Sequence, residues 1–202
     1  MERCFNLITK MNKRVEKIVS FIKEIEKFKN ISRETYTSGE RKESDAEHSW
    51  HLAISLMLLE KDLEEKFDIL RAIKMALIHD LVEIYSGDTF AYDYKGRESK
   101  KAREDAAAKK LFGLLPEDIE KEWHELWNEF EENKTKEAKI VTSIDKIHPI
   151  FQNICSNGKG WKEHNVKPEE IDNYKRKLME HNKIIKEIYE SAFNEAKNRG
   201  TI

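Results

Sequence analysis

The residues of this chain best suited to chemistry are His48, the adjacent pair His79-Asp80, and Asp145. Two imidazoles and two carboxylates suit a borderline divalent cation such as manganese, cobalt, iron or zinc, with magnesium as a harder alternative. Each falls on the apolar stripe of its own expected helix. Burying such groups costs free energy unless a partner compensates them, and one metal ion would compensate all four. Taken singly, each has an ordinary explanation: a core histidine with a hydrogen bond, an uninformative His-Asp dipeptide, an aspartate in an ion pair. The expectation rests on the ordered set.

Seven helices and no strand are expected to position these residues, in an all-α, single-domain bundle spanning 1–202. The first runs over Asn12–Phe28, where Val15, Ile18, Val19, Ile22, Ile25 and Phe28 recur at helical spacing. The second starts at Ser44 or Asp45, where Ser44 and Glu47 form a capping-box pattern, and continues to Lys61. Its inward stripe reads His48, Leu52, Ser55, Leu56, Leu59. The third, Glu65–Tyr85, is apolar all round, as expected of a helix in the middle of a bundle, and stops at Ser86-Gly87. A loop with Phe90, Tyr92 and Tyr94 follows, and loops often carry sites. Further helices are expected at Ser99–Phe112, Pro116–Glu132, Lys134–Cys155 and Pro168–Asn198. Pro116 and Pro168 each precede acidic residues at the positive end of a helix.

Composition narrows the function classes. With 37 basic and 39 acidic residues the net charge is -2, so no global field recruits a nucleic-acid polymer or an anionic membrane. No run approaches the roughly 20 apolar residues of a membrane span, and no secretory signal is expected. Cys4 and Cys155 show no framework spacing, which fits a reduced, cytoplasmic protein.

Other residues fall near the four. Glu83 follows His79 by four positions and Asp80 by three, so it shares their helix face. Asp145 lies among Val141, Ile144, His148 and Phe151 on a stripe that otherwise reads as core. His51 could share a face with His48, but packing or solvent exposure is its expected fate. No role is assigned to His124, His164 or His181.

The stretches Glu43-Ser44-Asp45-Ala46-Glu47-His48, His79-Asp80-Leu81-Val82-Glu83, Gly87-Asp88-Thr89 and Asp145 resemble the HD-domain metal-dependent phosphohydrolases. More narrowly, they resemble the branch with the bacterial 5′-deoxynucleotidases and their archaeal and eukaryotic relatives. The resemblance covers Ile18 to Val166, with the helix over 168–198 packed on that core. It implies one divalent metal held by His48, His79, Asp80 and Asp145. Two-metal members need further histidines between the His-Asp pair and the last aspartate, and only His124 lies in that interval. Glu83 and Asp88 match residues that assist catalysis around a metal-bound water. Arg33 matches a phosphate-contacting arginine and reads equally well as a solvated charge; Arg41, Lys42 and Lys95 are weaker candidates.

The deoxynucleotidase pattern places an aromatic residue directly after that arginine. Here Glu34 stands there, with Tyr36 two residues on, which leaves the choice between deoxyribose and ribose open. The expected activity is hydrolysis of a nucleoside 5′-monophosphate. The alternatives are hydrolysis of another phosphate ester or an alarmone nucleotide, or a non-catalytic metal- or ligand-binding module. A homodimer or larger homo-oligomer is also implied.

Overall fold

The computed structural model describes residues 12–63 and 66–202. Cys4 and Glu65, the expected start of the third helix, lie outside the described residues. In chain order the helices are α1 (Lys13–Glu24), α2 (Asp45–Leu59), α3 (Ile69–Ile78), α4 (Glu83–Ser86), α5 (Tyr94–Arg97), α6 (Lys100–Phe112), α7 (Glu117–Glu132), α8 (Lys136–Cys155), α9 (Lys159–Glu163), α10 (Pro168–Met179) and α11 (Lys183–Asn198). The all-α expectation holds. Among the described residues no helix is long and apolar enough to cross a membrane.

The differences from the expected elements have local causes. The first helix tightens into a 3₁₀ turn over Ile25–Asn30. The expectation of no strand is wrong: β1 (Ser32–Tyr36) pairs antiparallel with β2 (Lys42–Ser44). The inward residues of this hairpin, Thr35 and Glu43, are polar and bonded to each other across it, Thr35 Oγ1 donating to Glu43 Oε2 at 3.0 Å. An apolar alternation is therefore absent from the sequence. The last expected helix is two, because Asn182 turns extended and its side chain caps α11 through the amides of Ile184 and Ile185.

The third expected helix breaks after Ile78. The chain then turns with three-residue spacing, Leu81 N to Ile78 O and Glu83 N to Asp80 O, before α4. That break allows the consecutive His79 and Asp80 to face one centre. Nor is α3 buried all round, since Leu70 and Leu77 are exposed, as is Phe151 of α8, which the core stripe had included.

Two apolar clusters fill the interior. One joins α2, α3, α8, α10 and α11 through Leu52, Leu56, Met75, Ile140, Ile171 and Tyr189. The other joins α1, α6 and α7 through Phe21, Leu111, Phe112 and Trp127. The cap of α2 forms as its sequence predicts, with Ser44 and Glu47 bonding each other's backbone amides, and it sets His48 one turn into the helix. On the other side, α9 lies against β1 so closely that a Cβ on Gly160 would come within 2.4 Å of the Glu34 carbonyl oxygen. Glycine is thereby required where α9 supports the strand carrying Arg33 and Glu34.

Candidate metal centre

His48 comes from the first turns of α2, His79 and Asp80 from the break after α3, and Asp145 from the middle of α8. The structure brings all four together. His48 Nε2 lies 3.1 Å from Asp145 Oδ1 and 3.8 Å from Asp80 Oδ2, and His79 Nε2 lies 3.0 Å from Asp80 Oδ2. Ligand atoms of His48, His79 and Asp145 all fall within 4.8 Å of one another. His79 Nδ1 is 2.9 Å from the Ala76 carbonyl oxygen. That nitrogen therefore carries a proton, and Nε2 faces the cluster.

Opposite charges stabilise this centre from both sides. Arg33 Nη1 donates to Asp80 Oδ2 at 2.9 Å and to Asp45 Oδ1 at 3.1 Å, and Lys146 Nζ donates to Asp145 Oδ2 at 2.6 Å. Burial opposes the charge on Asp145, yet Lys146 and the neighbouring histidines hold its carboxyl well below the usual range. Burial, with the charge of Arg33, pushes His48 down to about 4, so its imidazole is neutral and free to act as a ligand at neutral pH. Glu83 is the contrary case: burial first, then Asp80 and Asp45, pushes its carboxyl well up. A carboxyl oxygen from each of Asp45, Glu83 and Asp88 lies within 4.8 Å of the others.

A cleft opens onto this cluster, with Arg33, Glu83, Asp88, Phe90, Lys146 and Lys175 among its lining residues. Residues 25–188 match the family described as HD domain. This chain belongs to the HD domain family. It is similar to a human protein named 5′-deoxynucleotidase HDDC2, with 34% identity over 137 residues covering 67% of this chain and 66% of that protein. The match to the fission yeast 5′-deoxynucleotidase hdd1 is 31% identical over 141 residues, 67% of this chain and 70% of the yeast protein. The aligned stretch thus spans about two thirds of the length of these curated relatives. Among solved structures, a predicted metal-dependent phosphohydrolase from Magnetospirillum magnetotacticum superposes with a TM-score of 0.86 at 37% identity. It covers 95% of this chain and 99% of the other. The PH0347 protein of Pyrococcus horikoshii superposes with a TM-score of 0.63 at 26% identity, over 88% and 99%.

A divalent ion fits the donor set of this HD domain. Ligand bonds of roughly 2.0–2.2 Å put two donors of one ion about 3 to 4.4 Å apart, the range seen between His48, His79, Asp80 and Asp145. His79 Nε2 is buried without a hydrogen-bond partner although Asp80 Oδ2 is only 3.0 Å away. A buried imidazole nitrogen facing carboxylates in this way suits a metal ligand.

The sequence reading missed the support behind His48. His48 Nδ1 is 3.0 Å from Nδ1 of the buried His148, whose Nε2 is 2.9 Å from His51 Nδ1 and 3.4 Å from Glu43 Oε1. If His48 offers Nε2 to a metal, its Nδ1–H must donate to His148. His148 then carries its own proton on Nε2, facing His51 and Glu43. Glu43 is fixed in turn by Gln152 and Thr35. The spacing of Asp145 and His148, three residues apart on one helix face, was the available signal. His51 and Glu43 enter only through tertiary contact.

Other expectations meet mixed outcomes. Arg33 lines the cleft, while Arg41 pairs with Glu47 and Lys42 with Glu34. Neither of these nor Lys95 is among the lining residues. Phe90 and Tyr92 both wall the cleft and pack on the core. Asp93 has a structural role, its side chain accepting from Gly96 N to cap α5. His164 is bonded to Glu34 at 2.9 Å, and His181 Nε2 lies 2.8 Å from Ser143 Oγ.

Proposed function

We propose that this HD domain is a metal-dependent phosphohydrolase that releases phosphate from nucleoside 5′-monophosphates, with 5′-deoxynucleotides as its first substrates. The observation that carries the reading is the convergence of His48, His79, Asp80 and Asp145 in one cleft with Glu83 and Asp88. The names of the human and yeast relatives support the substrate class, and the Magnetospirillum structure supports the reaction class.

His48, His79, Asp80 and Asp145 would hold one divalent ion. When bound, such an ion supplies Lewis acidity toward water and toward a phosphoryl oxygen. The chain's own groups do the rest. Glu83, whose carboxyl is pushed up by burial, is placed to move a proton between the attacking water and the leaving oxygen. Asp88 lines the same cleft and keeps a second carboxyl within reach of it. Arg33 lies across Asp45 and Asp80, where it orients the carboxylates and presents positive charge to an incoming phosphate. Phe90 and Tyr92 wall the cleft where a nucleoside would lie. Glu34, bonded to Lys42 and His164, lines the same cleft.

The test is phosphate release from a panel of deoxy- and ribonucleoside 5′-monophosphates by metal-stripped protein with manganese, cobalt, magnesium or zinc added back. Release from deoxynucleotides supports the proposal, and equal release from ribonucleotides broadens it to a general nucleotidase. Silence with every metal, despite stoichiometric metal binding, would sink it.

Assembly belongs to the same reading. Trp50, Ile54, Met57 and Leu58 of α2 and Leu70 and Leu77 of α3 are exposed large apolar residues on two packed helices. A homodimer would cover them, and light scattering in solution at twice the mass of the 23.9 kDa chain is the expected result. The exposed, free Cys155 is consistent with a cytoplasmic enzyme, which cell fractionation checks.

A further inference from the structure

Lys175 is a buried cation that the proposed reaction has not yet used. It projects from α10 and is 2% exposed. It lines the cleft with Asp145, Lys146 and Tyr174. Its Nζ donates to the Lys146 carbonyl oxygen at 2.5 Å, and among the described residues no carboxylate is paired with it.

The other cations of the cleft are differently placed. Lys146 faces Asp145 at 2.6 Å, Lys100 faces Glu104 at 2.9 Å, and Arg33 faces Asp45 and Asp80. Arg97 is exposed, donates to the Ala91 carbonyl oxygen and lies over the Tyr174 ring. An ammonium has three protons to donate, and a buried one without a counter-ion is costly. Burial, with the nearby charge of Lys146, pushes Lys175 down to about 7. An anion entering the cleft would remove that cost by supplying the missing charge and acceptors. The cavity of about 110 Å³ takes a compact anion, and its walls already carry Asp80, Glu83, Asp88 and Asp145. Lys175 offers an incoming dianion a buried ammonium that no carboxylate has neutralised.

We propose that Lys175 anchors the phosphoryl group, its Nζ binding a non-bridging oxygen of the phosphomonoester and of the inorganic phosphate released from it. This inference rests on the phosphohydrolase reading for the identity of the anion. It makes α10 part of the site.

The experiment uses the full chain loaded with manganese, with inorganic phosphate as the probe. In Lys175→Met the dissociation constant for phosphate, measured by calorimetry, is expected to rise at least tenfold. Manganese stoichiometry and affinity stay as in the parent. A folded, fully loaded Lys175→Met protein that binds phosphate like the parent overturns the inference. Should that variant not fold, parent protein with ¹³Cε-labelled lysine, loaded with diamagnetic magnesium or zinc in place of manganese, decides. Phosphate must then shift the Lys175 resonance, assigned by its absence from Lys175→Arg, and an unmoved resonance overturns the inference equally. Lys175-dependent phosphate binding without hydrolysis of any monoester would defeat the phosphohydrolase reading and leave the anion site standing. Hydrolysis with an unchanged KM in Lys175→Met would do the reverse.

Discussion

Asp80→Ala and His79→Ala are each expected to lose bound metal and phosphate release together. Asp80 Oδ2 lies 3.0 Å from His79 Nε2 and 3.8 Å from His48 Nε2, so removing either side chain opens the donor set at its centre. The loss should also appear in stability. A ligand that binds only the folded state stabilises it by about 2.7 kcal/mol at a hundred times its dissociation constant. Thermal melting of the parent should therefore rise when manganese is added to stripped protein, while His79→Ala should show no rise. A His79→Ala protein that retained stoichiometric metal and full turnover would remove His79 from the ligand set.

Glu83→Gln is expected to separate the two properties. The side chain is buried beside Asp45 and Asp88, and glutamine keeps its size and one acceptor oxygen while removing the ability to exchange a proton. Metal should bind with parental stoichiometry. Turnover should fall by about 10²–10⁴, the usual contribution of a positioned acid or base, equivalent to roughly 3–5.5 kcal/mol of barrier. The fall should be in kcat rather than in KM, because the group acts on the proton in flight and not on substrate binding. Parental turnover in Glu83→Gln would mean that proton transfer runs through another group, with Asp88 the next to test.

The sequence disclosed the centre more fully than its surroundings. His48, His79, Asp80 and Asp145 are polar residues on stretches of apolar periodicity, a contradiction that points to a compensating ion. The helices around them were legible for the same reason, down to the Ser44–Glu47 cap. The hairpin was not, because Thr35 and Glu43 satisfy each other as a buried polar pair and leave no apolar alternation. The break at Ile78 was hidden inside an apolar run that continues through Leu81 and Val82. There tertiary packing, not a breaker residue, ends the helix.

The support behind His48 was also out of reach. His148 reads as one more position on the stripe of α8, and its partners Glu43 and His51 are about 100 residues away in sequence. Lys175 lies on the same face of α10 as Ile171 and Met179, a lysine on an apolar stripe, and that signal went unread among the charged residues around it. Its burial is a property of how α10 packs on α8.

The most direct measurement is a metal titration of stripped protein, following bound manganese and phosphate release from a deoxynucleoside 5′-monophosphate together. One centre made by His48, His79, Asp80 and Asp145 predicts that activity rises in proportion to bound metal and saturates at one equivalent per chain. Activity that survives stripping, or that appears only as a second equivalent binds, would contradict a single-metal centre as the source of the chemistry.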